Sequence, residues 1–330
     1  MKILVTGATG FVGSVLIPEL IKNCGSKSIS AFVLPGEKIP ESWKDQDIQV
    51  FYGNIIDRDS VWKACQGQSH LIHLAGFISY WKKDYAKLKE INRDGVGCII
   101  DACLGSNVER LIHVSSVGTI GFNKNGELAN ETKPFNWPSN FYYMTSKHQG
   151  EKIVENAVKQ KGLQAIILNS ASIMGPGDPN IHSPHNQIYN TIYKKMLFGA
   201  FPGGLAVVDV RDLVAIIIKA LKRGKIGEKY LIVGANLTYQ NIIKLIGEYA
   251  KRRVYPIRLP SFLSTAAGSV LEIISCYNKK RPLLTKTYGR LSGWYTYYSN
   301  EKSKKEFSHS YINFEKTIQD TCSYFEKNFL

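Results

Sequence analysis

The chain has 330 residues, enough for one large α/β domain or two small ones, and its 44% hydrophobic content is that of an ordinary soluble globular protein. The formal net charge is +15, but no run of five like charges and no nucleic-acid-binding motif occurs, so nucleic acid is not an expected partner. Six cysteines without a C-x-x-C pair exclude a cysteine metal site, and no stretch of about 18 apolar residues is present to insert stably in a bilayer.

The first apolar run, "KILVT" at 2–6, is rich in β-branched residues and reads as a buried strand. "GATGFVG" follows, then "SVLIPELIKN" with helical periodicity. Strand, glycine turn and helix together predict a dinucleotide cradle. Gly7 permits the tight turn, Gly10 the approach of a pyrophosphate, and Gly13 close packing of helix on strand; Thr9, Phe11 and Val12 complete the contact surface. Because the fold begins at residue 2, no signal peptide is expected, and with reduced thiols this predicts a cytoplasmic protein.

Further strands are expected at 29–34, 48–53, 69–76, 109–116 and 163–170, with helices between several of them, notably 84–105 and 141–161. The alternation predicts an α/β protein, a Rossmann-like, doubly wound parallel sheet covered on both faces. Ligands of such sheets gather beyond the carboxyl ends of the strands. The candidates there are Leu34, Asn54, Ile55, Leu74, Ala75, Gly76, Ser115, Ser116, Asn169 and Ser170. At the end of the second strand, "FVLPGEK" puts Val33 and Leu34 where an acidic residue would select NAD or an arginine NADP. With no carboxylate there and Lys38 nearby, the reading favours NADP over NAD.

"YYMTSKHQGE" at 142–151 places Tyr143 and Lys147 four residues apart, on one face of a helix, with Tyr142 pointing away. "NIHSPHN" offers His182 and His185 without a third ligand, so no metal is expected. Asp209 and Asp212 in "VVDVRDLV" read as a helix cap and a packing group. "LPSFLSTAAGSVLEIIS" at 259–275 reads as a buried or amphipathic helix.

Gly7-x-x-Gly10-x-x-Gly13, "HLAG", "INRDGV", "VSSVGTIG", Tyr143-x-x-x-Lys147 and "LNSASIMGPGD" occur in this order, followed by "VVDVRDLV", "NLTYQNIIKLI" and "KKRPLLTK". In these motifs the chain resembles the extended short-chain dehydrogenase/reductases, the NAD-dependent epimerase/dehydratase superfamily, and within it the dihydroflavonol-reductase-like branch. The resemblance implies that Tyr143 is the catalytic acid/base. Lys147 would lower its pKa from near 10 and bind the nicotinamide ribose, and Ser116, rather than Ser115, would orient the substrate oxygen. It implies a supporting role for Asn92, places Asn54 and Ile55 beside the adenine, and puts Asn169 and Ser170 beside the nicotinamide, Ser170 standing where the family more often has proline.

By the same resemblance, residues 1–175 with about 206–233 form the cofactor domain, and about 176–205 with 234–330 a substrate-binding subdomain. The implied function is an NAD(P)-dependent oxidoreductase acting on a small-molecule ketone, aldehyde or alcohol. Two alternatives stand beside it: a nucleotide-sugar epimerase or dehydratase that retains NAD, and more remotely a non-catalytic dinucleotide sensor. The basic surplus suits a phosphorylated or CoA-linked substrate. A homodimer paired through the helices at 84–105 and 141–161 is implied as well.

Overall fold

In the computed structural model, which describes residues 1–194, 197–278 and 280–330 (197 and 198 as backbone only), the chain opens with β1 (Ile3–Thr6), buried along its whole length. It continues through α1 (Phe11–Cys24), β2 (Ile29–Val33), β3 (Gln49–Tyr52), α2 (Arg58–Cys65) and β4 (His70–His73). Next come α3 (Tyr85–Lys89), a π-helical turn at Glu90–Asp94, α4 (Gly95–Gly105), β5 (Arg110–Ser116), α5 (Tyr142–Lys161) and β6 (Ala165–Ser170). The second half holds β7 (Ser172–Met174), α6 (Gln187–Lys194), β8 (Leu197–Ala200), β9 (Gly204–Asp209), α7 (Val210–Ala220), β10 (Lys229–Ile232), β11 (Ala235–Thr238) and α8 (Tyr239–Tyr249). It closes with β12 (Val254–Arg258), α9 (Ser261–Asn278), α10 (Lys286–Leu291), β13 (Tyr295–Thr296), α11 (Glu301–Phe307) and α12 (Phe314–Phe329).

Seven strands form one parallel sheet in the order β10-β6-β5-β4-β1-β2-β3. The period of two along each strand divides its side chains between two cores. Ile3, Val5, Ile72 and Ile112 meet Leu16 and Ile17 of α1 and Leu213 and Ile217 of α7. Leu4, Leu71 and Leu111 meet Val61 of α2, Ile99 of α4 and Val154 of α5 on the other face. Each such side chain contributes about 1.5–3 kcal/mol on burial, which makes the sheet a rigid platform. Strand order reverses between β1 and β4, so the crevice for a ligand opens above their carboxyl ends.

A smaller sheet, β11-β9-β13 with β7 also on β9, stands beyond those ends, and β8 pairs with β12. Within residues 206–233, β9 pairs in the smaller sheet, whereas α7 packs on the large sheet and β10 pairs in it. The helix expected at 84–105 is α3 to α4, interrupted by the π turn. There the Asn92 carbonyl approaches α5 so closely that a Cβ on Gly150 would lie 2.0 Å from it.

Candidate functional site

The first turn is built to receive an anion. Gly7 has φ +66°, and a Cβ there would lie 2.9 Å from the Ala75 nitrogen. Gly13 packs on the turn, its would-be Cβ 2.3 Å from the Ala8 carbonyl oxygen. Gly10 is the N-cap of α1 and no side chain caps this helix, so its first N–H groups remain free to donate. Phe11, Val12 and Thr9 surround that terminus, and Leu74, Ala75 and Gly76 form the facing wall, with the Ala75 N–H donating to Thr6 Oγ1 at 3.3 Å. Open donors and a helix dipole, with no side chain in the way, fit the diphosphate of a nicotinamide dinucleotide.

After β2 the chain turns at 34–37, closed by the Glu37 N–H donating to the Leu34 carbonyl at 3.1 Å with Gly36 at φ +87°. Leu34 is exposed. The turn carries Glu37 back to the cradle, where the Thr9 hydroxyl donates to its carboxylate. A carboxylate therefore does stand at the rim. Position 34 alone could not reveal it, because the turn, and not the strand, delivers the side chain. Asn54 is half-buried and accepts from the Ile56 N–H at 3.3 Å, whereas Ile55 is a core residue packed on Gly95.

Tyr143, Lys147 and Glu151 follow one another at intervals of four along α5. The Tyr143 side chain lines the same cavity as Ser116 at the end of β5, and Ser116 Oγ accepts from the Gly118 N–H at 3.1 Å. Lys147 is buried and donates to the Val114 carbonyl at 3.3 Å. Tyr142 turns away to Tyr85, ring centroids 4.4 Å apart, and Ser115 donates to Glu151 at 2.7 Å. Asn92 holds the adjoining loop, accepting from the Phe77 N–H at 2.9 Å and donating to the Phe77 carbonyl at 2.8 Å and Ser146 Oγ at 3.1 Å.

Burial raises the Tyr143 pKa above its ordinary value, and the hydrogen bond from Ser116 works against that rise. This differs from the expectation that Lys147 lowers the phenol: burial outweighs the stabilising contacts. Lys147 is itself pushed down to about 8 by burial, with Glu151 pulling the other way. A pH dependence follows for any reaction in which Tyr143 donates a proton. The phenol keeps its proton across neutral pH, so the group that changes charge is Lys147. We expect kcat/KM to fall as pH rises through about 8, and expect Lys147→Met, measured over the same range, to be slow and to lack that limb.

Two groups escaped the sequence reading. His73 and His113 face each other across β4 and β5, rings stacked at 5.3 Å, with His73 Nδ1 2.8 Å from Thr6 Oγ1. Burial holds both imidazoles neutral, His73 down to about 3, and the Lys147 charge pushes the same way. Their only trace in the sequence is "HLIH" and "LIHV", whose alignment appears once the strands are in register. The second group is buried Glu151, which accepts at 2.7 Å from Ser115, Thr119 and Asn169 and pairs with Lys229 at 2.7 Å. The Asn169 amide nitrogen also donates to Thr119 Oγ1 at 2.8 Å and to the Ser116 carbonyl at 3.2 Å, while its Oδ1 is buried with no partner among the described residues. Ser170 lines the cavity beside it.

A cavity of about 290 Å³ lies over Tyr143 and Ser116. Its walls come from Tyr80, Trp137, Met144, Ile173, Tyr239 and Tyr288, among others, and none of the described lining residues is a lysine, arginine, aspartate or glutamate. The cation that a phosphorylated or CoA-linked substrate calls for is not supplied by these walls. His185 lines the cavity too, resting 5.2 Å from the Phe11 ring with Nδ1 3.0 Å from the Ile173 carbonyl oxygen. Asp209 caps α7, accepting from the Arg211 N–H at 2.8 Å, and Asp212 packs inside against His309 at 2.9 Å.

The sequence profile of the NAD dependent epimerase/dehydratase family matches residues 3–233. A Methylococcus capsulatus relative named sterol demethylase protein B is 31% identical over 267 residues, 78% of this chain and 79% of that protein. A Synechocystis relative named "putative dihydroflavonol 4-reductase" is 26% identical over 335 residues, 98% of this chain and 94% of that protein. The crystal structure of gox2253 superposes with a TM-score of 0.82 at 26% identity, covering 99% of this chain and 98% of that one.

Proposed function

Because the chain belongs to the NAD-dependent epimerase/dehydratase family, we infer that it interconverts a carbonyl and an alcohol on a largely apolar small molecule, with NAD(H) as hydride partner. The cavity carries the inference. A nucleotide sugar brings a diphosphate that needs cations, and the described lining gives aromatic and aliphatic side chains instead. Relatives named for sterol and dihydroflavonol chemistry support the same substrate class.

A nicotinamide dinucleotide, its diphosphate held by the Gly7–Gly13 cradle, would supply or accept the hydride. Ser116 holds the substrate oxygen, and Tyr143 passes its phenolic proton to that oxygen in reduction or takes it back in oxidation. The Lys147 ammonium, beside them, stabilises negative charge on the phenol oxygen as the proton leaves. Apolar walls keep water from the developing alkoxide.

Glu37 supports NAD(H) over NADP(H), reversing the preference read from the strand end. Its carboxylate can accept from a ribose hydroxyl and repels a 2′-phosphate. Glu37→Gln is expected to raise the NADP(H)/NAD(H) ratio of kcat/KM on the order of tenfold.

The test of the reaction is NADH oxidation with a panel of apolar cyclic ketones, beside UDP-glucose as the competing substrate class. Ketone turnover with freely exchanging cofactor is the expected result. Epimerisation of UDP-glucose by protein that retains NAD through purification would overturn it.

A further inference from the structure

Helix α9 is amphipathic the wrong way round for a free soluble helix. Its buried positions are the small residues Ser264, Gly268 and Ser275. They pack so tightly on α10 that a Cβ on Gly268 would lie 2.5 Å from the Thr285 carbonyl oxygen, and one on Gly289 2.4 Å from that of Ser264. Its large side chains point outward: Phe262 is 67% exposed, Ile273 60% and Tyr277 86%, with Leu263, Val270 and Ile274 beside them. At 100° per residue these six fall within an arc of about 120°, centred opposite the small-residue face. Among the described residues, 10 of the 19 exposed large apolar side chains lie between Tyr255 and Leu283. More than half of the exposed large apolar residues thus fall in this one segment, six of them on one face of α9, and such patches mark contact sites.

The charge around the patch identifies what covers it. From Lys251 to Arg290 the sequence has nine basic residues and one acid, Glu272, a surplus of eight out of the whole chain's fifteen. Arg253, Arg258, Lys280 and Lys286 are exposed, and Glu272 is engaged by the Lys286 N–H at 3.3 Å. We propose that α9 and its basic surround seat the protein on an anionic lipid surface, the helix lying in the plane of the headgroups with its apolar stripe beneath them. Outward Phe, Ile and Tyr rimmed by Lys and Arg are what interfacial helices present to such a surface. Contact with a second copy would bring two such basic surpluses together, which like-charge repulsion opposes. No helix among the described residues is long and apolar enough to cross a membrane, in keeping with a surface-lying mode.

The experiment is co-sedimentation of the full chain with vesicles of phosphatidylcholine alone and of phosphatidylcholine with phosphatidylglycerol in equal parts. Binding to the anionic vesicles is expected to be at least about tenfold tighter and to fall towards the neutral level in high salt. The triple variant Phe262→Ser, Ile273→Ser, Tyr277→Ser, all solvent-facing, is expected to lose about tenfold or more while keeping its unfolding midpoint and NADH binding. Arg253→Glu with Lys280→Glu should weaken binding to the anionic vesicles alone. Equal binding to both vesicle types, no binding to either, or an unaffected triple variant would overturn the proposal. So would a concentration-dependent dimer that the triple variant abolishes, which would assign the face to a second copy. Vesicle binding is read without turnover, so it stands or falls apart from the reaction inferred above.

Discussion

Tyr143→Phe is expected to lower turnover about 10²- to 10⁴-fold, the range over which a positioned proton donor acts. The substitution removes one oxygen. Ser116 keeps its bond from the Gly118 N–H, so the end of β5 holds its shape, and the cradle lies on another strand. NADH affinity, measured by fluorescence titration, should therefore stay within about twofold of wild type. Tyr142→Phe is the control. Its ring packs on Tyr85, away from the cavity, and its loss of a hydroxyl should leave turnover nearly unchanged. Near-normal turnover in Tyr143→Phe, or comparable losses in both variants, would remove Tyr143 from the reaction.

The largest expected loss of stability belongs to Glu151→Ala. One carboxylate receives three buried donors and the Lys229 ammonium, tying α5 to β5, β6 and β10 at once. Truncation leaves those donors unmatched in the interior, at about 1–3 kcal/mol for each that water cannot reach. Because Lys229 retains Glu155, the total should be about 3–5 kcal/mol, the cost of breaking a buried pair, rather than the sum of the separate losses. Glu155→Ala, losing one of two partners of Lys229 near the surface, should cost about 1 kcal/mol. Urea unfolding of the two variants measures the difference, and equal midpoints would show that the buried cluster carries no special weight.

The parallel sheet could be read from the sequence because its strands are short β-branched runs between glycines and helices. The expected boundaries at 29–34 and 163–170 differ from β2 and β6 by one and two residues. The Tyr143–Lys147 pair could be read for a similar reason, since both lie on one regular helix and periodicity alone sets their relation. Features that depend on two elements meeting could not. Glu37 reaches Thr9 through a turn, and the His73–His113 stack needs the register of β4 on β5. The bond from the Asn169 amide nitrogen to Glu151 likewise needs β6 and α5 to meet. For α9 a buried or amphipathic helix was legible but its orientation was not, because close packing of Gly268 and Gly289 decides which face turns inward.

The chain sews its two sheets together at three short stitches. β6 passes into β7 through Ala171 alone, β9 into α7 with no residue between, and β10 into β11 through Val233 and Gly234. Each stitch is knotted in place: the Ala171 N–H donates to the Ile232 carbonyl at 3.0 Å, and the Gly234 N–H to that of Val207 at 2.8 Å. At the β9–α7 crossing, Asp209 is gripped by the Arg211 guanidinium and by Thr317, both at 2.7 Å. A hinge needs loop residues that can absorb large changes of φ and ψ, and these crossings have none to spare. The two lobes therefore do not swing apart like jaws.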